Sequence, residues 1–208
     1  DIVKNADWLI CADCDEFLNI RVGKGRLDDL FAAVGEADAI SVCWKLFGNN
    51  GKITYSDSPV IEQFNRSCGE HEFPNYRAYG MKTLVRNNKH LKKPRIHRPA
   101  SHLDRGDIAW TDGGGKPMPD SYLDQGWKAF KGFSHDYARL HHYAVRSVDS
   151  FLVKRDRGRT NHVADDQGIN YWSNMNYNST YDASIHARLP GLRKELKNLM
   201  QDSELASL

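Results

Sequence analysis

Asp13, Asp15 and Glu16 stand in the run Asp-Cys-Asp-Glu, directly after the apolar stretch Trp8-Leu9-Ile10-Cys11-Ala12. Side chains alternate along an extended chain, so Asp13 and Asp15 are expected on one side and Cys14 on the other. Two carboxylates held close together repel as anions, and a shared proton or a divalent cation relieves the repulsion. Hard oxygen ligands select Mg2+ or Mn2+. Such an ion keeps open positions that the phosphate oxygens of a substrate can fill, and it neutralises charge that develops on a leaving diphosphate. A bare Asp-x-Asp arises often by chance, so its position at the end of an apolar strand carries the weight.

The elements that would position these acids follow from periodicity. Trp8 to Ala12 reads as a strand buried on both faces of a parallel sheet, with the acids at its carboxyl end, where ligands bind in open α/β sheets. Arg26 to Val34 predicts a helix with Leu27, Leu30, Phe31 and Val34 on one face and Gly35 as its stop. Ala39 to Trp44 returns as a strand, which makes a βαβ unit and a sheet that is at least partly parallel. Phe47 to Gly51 reads as a turn. Ser58-Pro59 opens a short helix with Val60, Ile61 and Phe64 inward. Further strands are expected around Lys82 to Arg86 and at Leu140 to Val145. The polar, Gly-rich segment from Asp104 to Asp120 reads as a long loop. Ser147 caps a helix that turns Val148, Phe151 and Leu152 inward and ends near Gly158. Asn170 to Tyr181 receives no assignment. Pro190 to Met200 is a last amphipathic helix with Leu192, Leu196 and Leu199 as its stripe.

The chain of 208 residues is long enough for one domain with a sizeable core. A net charge of +2 speaks against a dedicated nucleic-acid binder, which would carry a basic excess. No apolar run approaches the ~20 residues of a transmembrane helix. Cys11, Cys14, Cys43 and Cys68 are expected to be reduced thiols in a cytoplasmic setting. Cys11 and Cys14 match Cys-x-x-Cys, a redox or zinc signature. Against that reading, Cys11 falls inside the expected strand and no second pair exists.

The run Trp8 to Leu18 resembles the metal-binding segment of family-2-like glycosyltransferases with a GT-A fold. It is most similar to a bacterial branch related to the family-92 enzymes, in which a Trp-led strand enters Asp-x-Asp-Glu-Phe. Three further stretches are similar to that branch and come in the same order: Trp44 to Gly51, Lys82 to Arg86 followed by His97-Arg98-Pro99, and His142 to Ser147 with Phe151, Lys154, Arg157 and Gly158. The resemblance implies an α/β, GT-A-like domain over 1–208 with a mixed, partly parallel sheet flanked by helices. It implies inverting transfer of a sugar from a nucleotide-diphosphate donor, a uridine diphosphate sugar being the expected one. The acceptor would be a saccharide or glycolipid, in cell-surface polysaccharide synthesis at the cytoplasmic side, including the inner face of the membrane.

On the same resemblance, Asp13, Asp15 and a late histidine, His142 with His141 behind it, would hold Mn2+ or Mg2+. Asp13, Glu16, Trp44, Lys82 and Arg86 would contact donor or acceptor. His142 is equally readable as a core histidine, and Trp44 as a core tryptophan. Arg155, Arg157 and Arg159 are readable as diphosphate contacts or as a solvated helix end. Inversion needs a general base near the acceptor hydroxyl; Asp57, Glu70, Asp112 and Asp165 are open to that role and also to that of ordinary surface acids.

The pattern departs from the family at the start. Only seven residues precede Trp8, so the strands that would hold base and ribose are not in this sequence. The sheet is therefore expected to present an edge that an oligomeric or domain partner covers. Two other classes compete. A haloacid-dehalogenase-type phosphatase also places Asp-x-Asp after a buried strand, although position 17 is here Phe. A non-catalytic carbohydrate-binding or assembly module would need no donor strands.

Overall fold

The structure is a computed structural model and describes residues 5–69, 76–88, 95–99, 108–123, 127–158, 167–203 and 205. Its strands are β1 (Trp8–Leu9), β2 (Glu16–Ile20), β3 (Ala39–Leu46), β4 (Arg66–Ser67), β5 (Met81–Arg86), β6 (Trp110–Asp112), β7 (Ala138–His142) and β8 (Thr180–Tyr181). The helices are α1 (Leu27–Val34), α2 (Val60–Gln63), α3 (Val148–Arg157), α4 (Ile169–Met175) and α5 (Leu189–Leu199). No helix among the described residues is long and apolar enough to cross a membrane.

The fold is α/β, with a mixed sheet built on β3. Its sequence Ala-Ile-Ser-Val-Cys-Trp-Lys-Leu is buried almost throughout, as a central strand covered on both faces requires. β5 runs antiparallel along one edge of β3. The other edge is shared: β6 pairs in parallel with Ala39 to Ser41, and β7 in parallel with Trp44 to Leu46. β1 lies beyond β5 and β2 beyond β7, both antiparallel to their neighbours. β4 and β8 form a separate two-stranded ribbon.

Several expectations hold. α1 starts at Arg26 and stops at Gly35, whose φ of 79° is one that glycine adopts without strain. Leu30 is fully buried and Phe31 stacks on Trp8 with ring centroids 4.4 Å apart, but Leu27 of the expected face is exposed. α3 is capped by Ser147, whose Oγ accepts from the Ser150 N–H, and ends at Gly158. β5 spans the expected Lys82 to Arg86, whereas β7 starts two residues before the expected Leu140 and ends at His142, three short of Val145.

Others need correction. Trp8 to Ala12 is not a doubly buried strand. β1 is two half-buried residues at the sheet edge, and Ile10 to Cys14 are exposed. An apolar run of five residues cannot say whether its sheet position is central or marginal. The crossover from β1 through α1 to β3 does join parallel strands, since both run antiparallel to β5, but β5 lies between them. The chain also makes β2 before α1. The segment expected to be one loop contains β6, followed by a turn at Gly113 to Gly115; residues 104–107 lie outside the described ones.

On α3 the exposed Leu152 does not turn inward; Phe151 does. The stretch left unassigned forms α4 and β8. On α5 only the N-terminal end packs: Leu189 and half-buried Leu192 meet Phe47, Ile61, Phe64 and Tyr143. Leu196 and Leu199 of the expected stripe stay 42% and 53% exposed.

Candidate functional site

The acids sit in a turn rather than at a strand tip. The Glu16 N–H donates to the Asp13 carbonyl at 3.0 Å, and Glu16 Oε2 accepts from the Asp13 N–H at 3.0 Å. The turn leads into β2, where Glu16 lies directly opposite His142 of β7. His142 in turn lies opposite Leu46 of β3, two residues beyond Trp44. Residues directly opposite each other share a face, so β2, β3 and β7 bring Glu16, Trp44 and His142 to one place. Lys82 of β5, opposite Val42, joins them on the same face.

Geometry confirms the convergence. Trp44 and His142 have ring centroids 4.2 Å apart, and Trp44 Nε1–H donates to Glu16 Oε1 at 2.8 Å. The fully buried Lys82 ammonium lies 3.1 Å from Asp13 and 3.6 Å from Glu16. Lys154, from α3, donates to Asp15 Oδ2 at 2.9 Å and to the Ala144 carbonyl at 3.0 Å. His142 Nε2 lies 3.7 Å from Asp15 Oδ1. Gly80 leaves the room for Trp44: a Cβ at that position would stand 2.2 Å from the indole.

The charges are balanced in an unexpected way. Two ammonium groups stand against the carboxylates, Lys82 beside Asp13 and Glu16 and Lys154 beside Asp15. Burial pushes the Asp15 carboxyl up, but His142, Lys154 and Arg146 outweigh it and hold the carboxyl below its ordinary value. Burial raises Glu16 to about 7, against the opposing pull of the Asp13 N–H and Lys82. Burial lowers His142 to about 4, so its imidazole is neutral near pH 7.

Among the described residues no three His, Cys, Asp or Glu side chains converge to hold a metal ion. The nearest approach to a donor set is Asp15 Oδ1 with His142 Nε2. A carboxylate and a neutral imidazole suit Mn2+, and a spacing of 3.7 Å is one that two ligands of a single ion can adopt. Mg2+ and Mn2+ commonly leave most of their shell to phosphate and water. The two donors therefore fit such an ion, with most of the shell to be supplied by substrate and solvent. His142 Nδ1 is buried with no hydrogen-bond partner among the described residues, so the second group that usually orients a ligating histidine is not in place.

Of the residues singled out in the sequence, Asp13, Asp15, Glu16, Trp44, Lys82 and His142 come together. His141 does not, because alternation along β7 turns it to the opposite face. There it meets Asn19 and Arg139 beside Asp182 and is buried and neutral. Arg86 lies four residues along β5 from Lys82, ~13 Å at the rise of a strand, with its guanidinium 5.2 Å from the Trp8 ring. Asp112 lies away from this cluster, at the end of β6. It is fully buried, and its carboxylate accepts from the backbone N–H groups of Gly114, Lys116 and Ser134. Asp57 is exposed on a separate loop beside Tyr55. Arg155 and Arg157 are exposed on α3. Glu70, Asp165 and Arg159 lie outside the described residues. Cys11 is exposed beyond β1 rather than inside a strand, and Cys14 is exposed too.

Lys154 was the residue without an assigned role. Helical spacing could have found it, since Phe151 and Lys154 are three apart and share a face. No protein-family model matches the chain, and no curated protein matches it.

Proposed function

We propose that this chain carries the metal and acceptor site of an inverting, nucleotide-sugar-dependent glycosyltransferase of GT-A-like fold. The observation that supports this reading best is the approach of Asp15 and His142 to 3.7 Å, from positions 127 residues apart, with Asp13, Trp44 and Lys82 around them. Asp15 and His142 would hold Mn2+ or Mg2+, which when bound supplies charge neutralisation for a departing diphosphate. Against the burial of Asp15, His142, Lys154 and Arg146 hold its carboxylate ionised. Glu16 is a positioning residue: its two oxygens hold the Trp44 indole and the Asp13 backbone. Trp44 offers a flat face for a sugar ring. The donor would be a uridine diphosphate sugar and the acceptor a saccharide or glycolipid, at the cytoplasmic side of a membrane.

Titration calorimetry tests this directly. Mn2+ and uridine diphosphate should each tighten the binding of the other by the same factor, as linkage requires, and Asp15→Asn should abolish that coupling. Uridine diphosphate binding that ignores Mn2+ would sink the proposal.

The lysine partners of Asp13, Asp15 and Glu16 favour one second reading, a carbohydrate-binding module whose site needs no metal. It predicts glycan binding that is indifferent to Mn2+ and to chelator. The strand before Asp13 is a half-buried edge strand, which withdraws the buried-strand argument from the phosphatase alternative and from the transfer reading alike and leaves the latter on the convergence around Asp15 and His142.

A further inference from the structure

The loop from Tyr55 to Ser58, α2, the first turn of α3 and Leu196 of α5 line an open cleft of about 290 Å³. This is near the lower end of ligand pockets, ~300 Å³, and suits a ligand of about monosaccharide size. The cavity is separate from the cluster around Asp15 but adjoins it through Arg146. That residue lines the cavity and also lies close enough to Asp15 to help hold its carboxyl low.

Arg146 has a φ of 56°, in the left-handed region that non-glycine residues rarely occupy. Strain of this kind gathers at functional sites. Asp57 also lines the cavity, and its carboxylate accepts from Tyr55 Oη–H at 3.0 Å. Ser58 and Ser150 add hydroxyls, and Val60 and Phe64 add apolar surface.

One carboxylate and one guanidinium leave the lining without net charge. Both donors and acceptors are present, next to apolar patches. A pyranose presents the complement, hydroxyls that donate and accept around apolar ring faces. A phosphate group would meet a single cation and the repulsion of Asp57.

We infer that this cavity binds a saccharide, with Arg146 donating to and Asp57 accepting from its hydroxyls. Saccharide binding here stands by itself; its identity as the acceptor's place beside the donor site rests on the transfer reading above.

The test is binding of the full chain to a printed array of bacterial and plant oligosaccharides, followed by saturation-transfer NMR with the strongest free glycan. Arg146→Ala removes the donor. Ser58→Trp places an indole over the mouth of the cavity from an exposed turn, and circular dichroism checks that each variant is folded. Saturable binding by the wild type, weakened about tenfold or more in both variants, is the expected result. Mn2+ and uridine diphosphate should still couple in Ser58→Trp. The inference is overturned if no glycan binds saturably, if both folded variants bind as the wild type does, or if inorganic phosphate binds and no glycan does. Pocket-dependent glycan binding without any Mn2+ coupling would leave the inference standing and remove the transfer reading instead.

Discussion

Lys154 Nζ lies 2.9 Å from Asp15 Oδ2, joining the middle of α3 to the turn before β2 across 139 residues of sequence. Both side chains are nearly buried, at 13% and 11% exposure. Removing one partner of a buried pair strands the other charge, which costs ~3–5 kcal/mol. Lys154→Met should therefore lower the urea unfolding free energy by about that amount. Asp15→Asn combined with Lys154→Met should recover most of the loss. A single variant as stable as the wild type would show that the pair is solvated.

Glu16 sets a dependence on pH. Its carboxyl lies at about 7 in the folded chain against an ordinary 4.5. A raised pKa means that the folded state holds the proton more tightly. The contribution is complete below pH 4.5 and is lost as pH rises through 7, with a slope of up to ~1.4 kcal/mol per pH unit. His97, His141 and His142 are lowered by burial and act with the opposite sign, costing stability as pH falls below 6.5. The difference between wild-type and Glu16→Gln stability curves isolates the first effect. It should decline from pH 4.5 to 7 and then level off; a flat difference would contradict the burial of Glu16.

Gly80 faces the Trp44 indole so closely that a Cβ would stand 2.2 Å from it. Trp44 is further held by its backbone N–H, which donates to the Gly80 carbonyl at 2.8 Å, and by its indole N–H, which donates to Glu16. Gly80→Ala should displace the ring, with an overpacking cost of ~1–3 kcal/mol and a shifted tryptophan emission. Thermal unfolding and fluorescence check this, and an unchanged spectrum would show that the indole is not confined there.

Asp112 separates a structural acid from a catalytic one. Its carboxylate gathers three backbone N–H groups around the turn after β6. Asp112→Ala should cost about 3 kcal/mol through orphaned buried donors, while glycan and uridine diphosphate binding by the folded fraction stay unchanged. Loss of binding at full stability would return Asp112 to the site.

Local periodicity made much of the fold legible. α1, α3, β3, β5 and β7 all show in their apolar spacing and caps, since helix and strand repeats are written within a few residues. Four of the site's side chains, Asp13, Asp15, Glu16 and His142, were legible by residue type and resemblance, and Trp44 and Lys82 by their neighbouring motifs. The sheet position of Trp8 to Ala12 was not legible, because a short apolar run looks alike at the centre and at the edge. β2 was hidden because Glu16 to Ile20 follows acids that seemed to end the strand.

What the chain determined by itself was the set of acids beside an apolar run and the places of its longer helices and strands. Only the tertiary structure decided that lysines answer the acids, that His142 rather than His141 faces them, and that Arg86 lies elsewhere. The reason is physical. Partners 69 or 139 residues apart meet through strand pairing and helix docking. The one-residue alternation that separates His142 from His141 acquires a direction only once β7 has paired with β3 and β2.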